Sequence, residues 1–314
     1  MYVITGATGH IGNNLTRIMI EAGESVKLLL RRKGEAIEGL NVEMAFGNVF
    51  DSDFLATHIT PGDVLIHLAA LIDLSNKRTF DSLSINFEGV KTIADFCAAH
   101  DVRLVFISSV DAINKPSGHV KITEPDGFEP ERLKNIYARS KALATAYVHR
   151  LQSEGRLAGC ILYPSAVIGV NDFKPSAAGR EIRRALRMRL AFYIRGGYNF
   201  IDVRDTARAI YAAARKAVGG TYILAAHNVT IRDFYRAIAA ANASRMLVIR
   251  VPIALARLGG LFMKGFSNVM IDALLEHYDY DNSRMRRDLL PEPIPFERTL
   301  ADTIAWFRGR EVQN

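Results

Sequence analysis

Cysteine is almost missing from this chain: Cys97 and Cys160 are the only two in 314 residues. Each sits in an apolar stretch that reads as a buried helix or strand, so neither a disulfide framework nor a metal site is expected. No apolar run approaches the ~18 residues that cross a bilayer, so no stable membrane insertion is expected. The first strand starts at Met1, which leaves no room for a signal peptide and points to a cytoplasmic protein. Internal repeats and low-complexity linkers are also lacking. Charge of one sign is not concentrated either. The net charge is +7 with a pI near 9.4, yet the basic residues are dispersed apart from Arg31-Arg32-Lys33 and the Arg180 to Arg189 segment. Dispersed charge reads as solvated surface, and no nucleic-acid partner is expected.

What is present is core-forming material, 49% apolar residues, enough for one large or two small domains. The organising stretch is Thr5-Gly6-Ala7-Thr8-Gly9-His10-Ile11-Gly12. It follows a short apolar strand, Met1 to Ile4, and precedes a helical pattern from Asn13 to Ala22. Glycines at 6, 9 and 12 suit a sharp turn, close approach to a pyrophosphate and tight packing of helix on sheet, with the phosphates facing the positive helix end. The spacing predicts a dinucleotide site.

Further strands are predicted at Val26 to Leu30, Asn41 to Phe46, Asp63 to Ala70 and Val102 to Ser109, with a long helix from Thr79 to His100. Their alternation with helices predicts an α/β fold built on a doubly wound parallel sheet. Arg31 and Arg32 directly follow the second strand, beside the expected adenosine ribose. A guanidinium there suits a 2′-phosphate, so NADP(H) is favoured over NAD(H). Asn48, in the turn after the third strand, is placed to accept from the adenine amino group.

Asn135 to Lys141 opens a helix running to about Gln152. Tyr137 and Lys141, four apart, share a face. An ammonium ~4 Å from the phenol at an effective dielectric near 20 is worth ~4 kcal/mol. That would draw the tyrosine from ~10 toward ~7, within reach of proton transfer at neutral pH.

Together, TGATGHIG (5–12), HLAA (67–70), FISS (106–109) and YARSK (137–141), in this order and at these separations, resemble the extended short-chain dehydrogenases/reductases, the NAD-dependent epimerase/dehydratase family. The likeness spans the chain through YPSAVIGVNDFKPS (163–176), NFIDVRDTARAI (199–210) and YDYDNSRMRRDL (278–289). It is strongest to the dihydroflavonol-reductase-like branch, which includes hopanoid-associated sugar epimerases and 3β-hydroxysteroid dehydrogenase relatives. LLLRRKGEAIEGLNVEMAFGNVFD (28–51) supports that placement.

The resemblance implies a Rossmann-type lobe over 1–162 and 196–226, with a smaller substrate lobe over 163–195 and 227–314. It implies Tyr137 as proton donor or acceptor, Lys141 as the residue that lowers its pKa and binds the nicotinamide ribose, and Ser109 as the partner of the substrate oxygen. The implied cofactor contacts are Gly6, Thr8, Gly9, His10, Ile11 and Gly12 in the first turn and Arg31, Arg32, Asn48 and Val49 around the adenosine. Leu68, Ala69, Ala70, Asn86 and Ser108 follow, with Pro164 and Ser165 against the nicotinamide. A homodimer is implied as well. Asn48 departs from the family pattern, which usually has Asp.

Three activities compete. A carbonyl reductase or alcohol dehydrogenase acting on a small-molecule substrate needs only hydride transfer and the tyrosine proton. A nucleotide-sugar epimerase needs diphosphate ligands, and Tyr198-Asn199 stand where such members often carry an arginine; dehydratases need a further carboxylate pair, and Val110-Asp111 follow Ser109. A non-catalytic dinucleotide sensor would usually lack the tyrosine-lysine pair. Arg180, Arg183, Arg184 and Arg187 share one side of a predicted helix and are candidates for an acidic substrate. Val251 to Phe266 reads as lining or cover for a substrate pocket, an amphipathic core helix being preferred over membrane contact, and Asp205 reads as a helix cap.

Overall fold

The structure is a computed structural model that describes residues 1–73, 76–115, 120–260, 271, 275 and 278–313. Its centre is a seven-stranded sheet formed by β1 (Tyr2–Thr5), β2 (Val26–Leu30), β3 (Glu43–Phe46), β4 (Val64–His67), β5 (Arg103–Ile107), β6 (Gly159–Pro164) and β10 (Gly220–Leu224). All strand pairs are parallel, in the order β10-β6-β5-β4-β1-β2-β3. Parallel neighbours need crossovers. These are supplied by α1 (His10–Glu21), α2 (Ser52–His58), α3 (Thr79–Leu83) with α4 (Gly89–Ala99), and α5 (Ile136–Ser153). Strand order reverses between β1 and β4, where such sheets hold ligands beyond the strand carboxyl ends.

Both faces of the sheet are buried. Val3, Leu29, Leu65, Leu104, Phe106 and Ile161 belong to one apolar cluster, while Ile4, Leu28, Ile66, Val105 and Leu162 belong to the other. This is why the strands read as continuous apolar runs. Cys97 and Cys160 belong to these cores, and burial pushes both thiols up to about 12.

A second unit is built from a three-stranded sheet, β11-β9-β7, made of β7 (Ala166–Ile168), β9 (Gly197–Asp202) and β11 (His227–Thr230). Beside it are α6 (Ala177–Ala185) and α8 (Ile231–Ala241), and the parallel pair β8 (Leu190–Tyr193) and β12 (Leu247–Arg250), followed by α9 (Ile253–Gly260). Thus 197–202 pairs within this second unit, while α7 (Val203–Arg215), β10 and, later, the helix Ser283–Asp288 pack on the main sheet. Of the Val251 to Phe266 stretch, residues 261–266 lie outside the described residues.

Two predicted elements differ in form. The Thr79 to His100 helix is interrupted by a π turn, Ser84–Glu88, between α3 and α4. The wider turn leaves Asn86 fully buried, a common use of an inserted residue near a site. The cap of α7 is Asp202, whose carboxylate accepts from Arg204 N; Asp205 lies inside the first turn and accepts from Ile294 N at 2.6 Å.

Asp202 also joins the two units. Buried at the end of β9, it pairs with Arg204 at 2.7 Å and accepts from Thr299 Oγ1, in the C-terminal helix Phe296–Gln313, at 2.8 Å. Removing a buried carboxylate strands its cation and its hydroxyl partner. Asp202→Ala should therefore destabilise the fold by about 3 kcal/mol, read as a lower midpoint in denaturant titration, with Asp302 still holding Arg204 at 2.8 Å.

Candidate active site

The first turn is packed too closely for side chains at two of its glycines. A Cβ on Gly6, where φ is +75°, would lie 2.6 Å from Ala69 N, and one on Gly12 would lie 2.3 Å from Gly6 O. Backbone from two strand ends therefore touches where no side chain fits. Gly9 is the N-cap of α1 and offers no side-chain cap, so the first helical N–H groups at His10, Ile11 and Gly12 face an exposed glycine, an anion-binding arrangement. The His10 ring is anchored sideways: Nε2 lies 3.0 Å from Val170 O, and burial lowers its pKa despite Asp172 nearby. Across the switch, Leu68 N donates to Thr5 O at 3.2 Å, and Ala69 and Ala70 continue along the carboxyl end of β4.

On the adenosine side, Arg31 and Arg32 are exposed and have no ion pair among the described residues. Their loop reaches the glycine turn, since a Cβ on Gly34 would meet Thr8 Cγ2 at 3.2 Å. Asn48 is exposed and accepts from Phe50 N at 3.1 Å through Oδ1, while Val49 is buried.

Ser109, Tyr137 and Lys141 come together beyond β5, all buried. Burial, and then the Asp111 carboxylate, hold the Tyr137 phenol well above the usual tyrosine range, outweighing the opposite pull of the neighbouring Ser109 hydroxyl. This corrects the expectation that Lys141 draws Tyr137 toward neutrality. Lys141 Nζ instead donates to Ile107 O at 2.7 Å and lies 5.0 Å from the Phe106 ring centroid. Burial lowers Lys141 to about 7. Sharing a helix face brings two side-chain bases together but leaves the end of a long lysine free to choose its partner. His67 is neutral here: burial, helped by Lys141, lowers it to about 3, and its Nδ1 lies 2.7 Å from Thr5 Oγ1.

The remaining implied residues divide into contact and support. Asn86 is no free cofactor ligand: Oδ1 accepts from Leu71 N at 2.8 Å, and Nδ2 donates to Leu71 O at 2.8 Å and to Ser140 Oγ at 3.0 Å. It clamps the segment after β4 to α5 and is a positioning residue. Ser108 is likewise engaged, its hydroxyl 2.6 Å from Thr145 Oγ1. Pro164 ends β6, and Ser165 follows with a buried hydroxyl that lacks a hydrogen-bond partner among the described residues. An uncapped helix start, a side-chain-free crossing and this orphaned hydroxyl together fit a dinucleotide lying across the strand ends.

Sequence reasoning missed several supports. Asn135 caps α5, accepting from Tyr137 N at 2.9 Å and Ala138 N at 3.2 Å, and Asn76 Oδ1 accepts from Ile136 N at 2.8 Å. Asparagine directly before a helical pattern is the signal for the first; nothing local marks Asn76, which lies 60 residues away. The Asp111 N–H donates to Ser109 Oγ at 3.1 Å.

The arginine cluster is not assembled for a ligand. Arg180 donates to Pro175 O, Arg183 lies over the Phe307 ring, and Arg184 pairs with Glu181 at 2.8 Å. Each guanidinium holds its own lobe together. Asn199 is also occupied: Nδ2 donates to Asn228 Oδ1 at 2.7 Å, and Oδ1 accepts from Ala226 N at 3.0 Å.

Comparison with known proteins agrees with this architecture. The family model described as "NAD dependent epimerase/dehydratase family" matches residues 2–225. The chain is 27% identical over 329 aligned positions to sterol demethylase protein B of Methylococcus capsulatus, covering 98% of each. It is also 27% identical to a Synechocystis protein provisionally named dihydroflavonol 4-reductase, covering 98% of this chain and 94% of the other. Among solved structures, gox2253 superposes with a TM-score of 0.84 at 26% identity, covering 99% of this chain and 98% of that one. With a match across the whole of the main sheet and a site assembled at its switch point, the chain belongs to the NAD-dependent epimerase/dehydratase family of extended short-chain dehydrogenases/reductases, enzymes that use a nicotinamide dinucleotide.

Proposed function

We infer that this protein is an NADP(H)-dependent oxidoreductase acting on a carbonyl or alcohol carbon of a small organic substrate. The observation that supports the reading is the burial of Ser109, Tyr137 and Lys141 together beyond the carboxyl end of β5, with the phenol kept protonated. When bound, the dinucleotide supplies or takes up the hydride. Tyr137 gives its phenolic proton to the substrate oxygen in reduction, or receives it in oxidation. Ser109 holds that oxygen through its hydroxyl, and burial around both keeps water out. Lys141, lowered to about 7 by burial, is held by the Ile107 carbonyl in the same buried region.

Two further observations favour this reading over a nucleotide-sugar epimerase. Tyr198 stands where a diphosphate-binding arginine would serve, and both ends of the neighbouring Asn199 amide are already bonded within the second unit. The Arg180 to Arg187 side chains are likewise turned to partners of their own. NADP(H) is favoured by Arg31 and Arg32, exposed beside the glycine turn without carboxylate partners among the described residues.

Three measurements test these assignments. Tyr137→Phe should retain NADPH binding, followed by cofactor fluorescence, and lose turnover of aldehydes or ketones by ~10²-fold or more; unchanged turnover would refute the proton-transfer role. Arg31→Ala should weaken NADPH binding by ~10-fold or more while leaving NADH nearly unaffected, the scale of one charge-assisted hydrogen bond. Asp111→Asn removes a charge that disfavours the phenolate, so the basic limb of the pH profile for reduction should move to lower pH.

Lys141 supplies a thermodynamic test. Its folded pKa lies below its unfolded value, so the unfolded chain binds more protons from about pH 7 upward, and stability rises with pH until the free lysine also deprotonates. The cost of the buried charge is full below pH 7. Lys141→Met should therefore gain most stability relative to the native protein at pH 6, by up to ~4 kcal/mol, and the gain should fade toward pH 10 in melting curves recorded without cofactor.

A further inference from the structure

The β8–β12 pair lies away from the nucleotide site and presents one unusual face. In its register Leu190 pairs with Leu247 and Phe192 with Ile249, so all four side chains project to the same side. Their exposures are 41% for Leu190, 56% for Phe192, 62% for Leu247 and 39% for Ile249. The alternate residues Ala191 and Val248 pack into the core of the second unit, so the strands cannot turn over to hide the outer set. At the end of β12, α9 begins and exposes Ile253 and Leu255 as well.

The two segments that carry this face hold charge of one sign. Residues 182–201 and 234–260 contain no Asp or Glu and nine Lys or Arg. The whole chain carries +7, so everything outside these two segments sums to a net negative charge. Next to Leu247 an open recess of about 660 Å³ is lined by Arg189, Arg236, Arg245 and Ser244. No carboxylate pairs with any of these three guanidiniums among the described residues. Arg78, Arg132 and Arg298, by contrast, each pair with a carboxylate on the surface.

We propose that the Leu190–Phe192–Leu247–Ile249 face, with the Arg189–Arg236–Arg245 recess at its edge, docks the enzyme on an anionic lipid bilayer. The apolar side chains enter the headgroup boundary while the guanidiniums engage lipid phosphates, the division of labour of peripheral membrane surfaces. A lipid surface matches both halves of the patch, since it offers apolar depth and negative charge in one plane. Contact is reversible: no helix among the described residues is long and apolar enough to cross a membrane. The inference does not depend on the reaction assigned above, and its test does not read activity.

The test is co-sedimentation of the full-length protein with vesicles of phosphatidylcholine, with and without phosphatidylglycerol in equal part. Binding should appear on the anionic vesicles, be ~10-fold weaker on neutral ones, and fall with added salt. Phe192→Glu with Leu247→Glu should cut binding ~10-fold or more, while Arg189→Ala with Arg245→Ala should remove the preference for anionic lipid and the salt effect. Phe80→Glu, at an exposed apolar residue outside the patch, should change nothing. Circular dichroism and NADPH binding report that each variant is folded; if the double glutamate variant does not fold, the double alanine variant carries the test. The proposal is overturned if the anionic vesicles are not bound, or if binding ignores both patch variants. It is equally overturned if the protein forms a dimer in solution that Phe192→Glu splits, which would make this face an interface between copies.

Discussion

Two backbone segments pass closer to one another at the switch point than any side chain permits. Gly6 presses on the Leu68–Ala69 peptide, and Gly12 presses back on Gly6 O. This crossing brings the ends of β1 and β4 together, aims the start of α1 at the cleft and sets where a dinucleotide can lie. A methyl group at either position would push α1 off the sheet, and α1 in turn packs against α7.

The second constraint is electrostatic. Lys141, His67 and Tyr137 lie in one dry region behind and beside the cleft, and burial acts on each in the direction of its neutral form. The phenol stays protonated, the imidazole stays neutral, and the ammonium is brought near its midpoint at pH 7. A charged lysine could have been the dominant influence on the tyrosine, yet the Ile107 carbonyl holds it instead. The pair shares a helix face as its spacing requires, and its chemistry is decided by solvent exclusion and by Asp111. Asn86, Ser140 and Asn135 keep this arrangement in register. They bond backbone groups that would otherwise be buried without partners, which costs ~1–3 kcal/mol per group.

Much of this was legible in the residues. Apolar runs of four to six residues bounded by glycine and polar turns marked the parallel strands, since strands buried on both faces must be apolar throughout. The glycine turn, the tyrosine-lysine helix and the serine pair were visible for the same reason: their chemistry depends on short spacings along the chain. The π turn was not visible, because Ser84–Glu88 keeps a helical pattern and only the backbone hydrogen bonding shows the inserted residue. Asp205 resembled a cap, but Asp202 is the cap because β9 extends to that residue. The arginines of α6 looked like a ligand cluster because spacing reveals a shared side and conceals Glu181, Phe307 and Pro175 as neighbours.

The sequence by itself determined the class of fold, the family and the position of the nucleotide cleft, since each rests on local steric rules and on alternating burial within a few residues. Tertiary structure alone decided which groups are charged, which amides are already spent and which apolar strand face meets solvent. Those properties depend on partners tens to hundreds of residues away, and a pKa or an exposure is set by everything packed around a group, whatever its place in the chain.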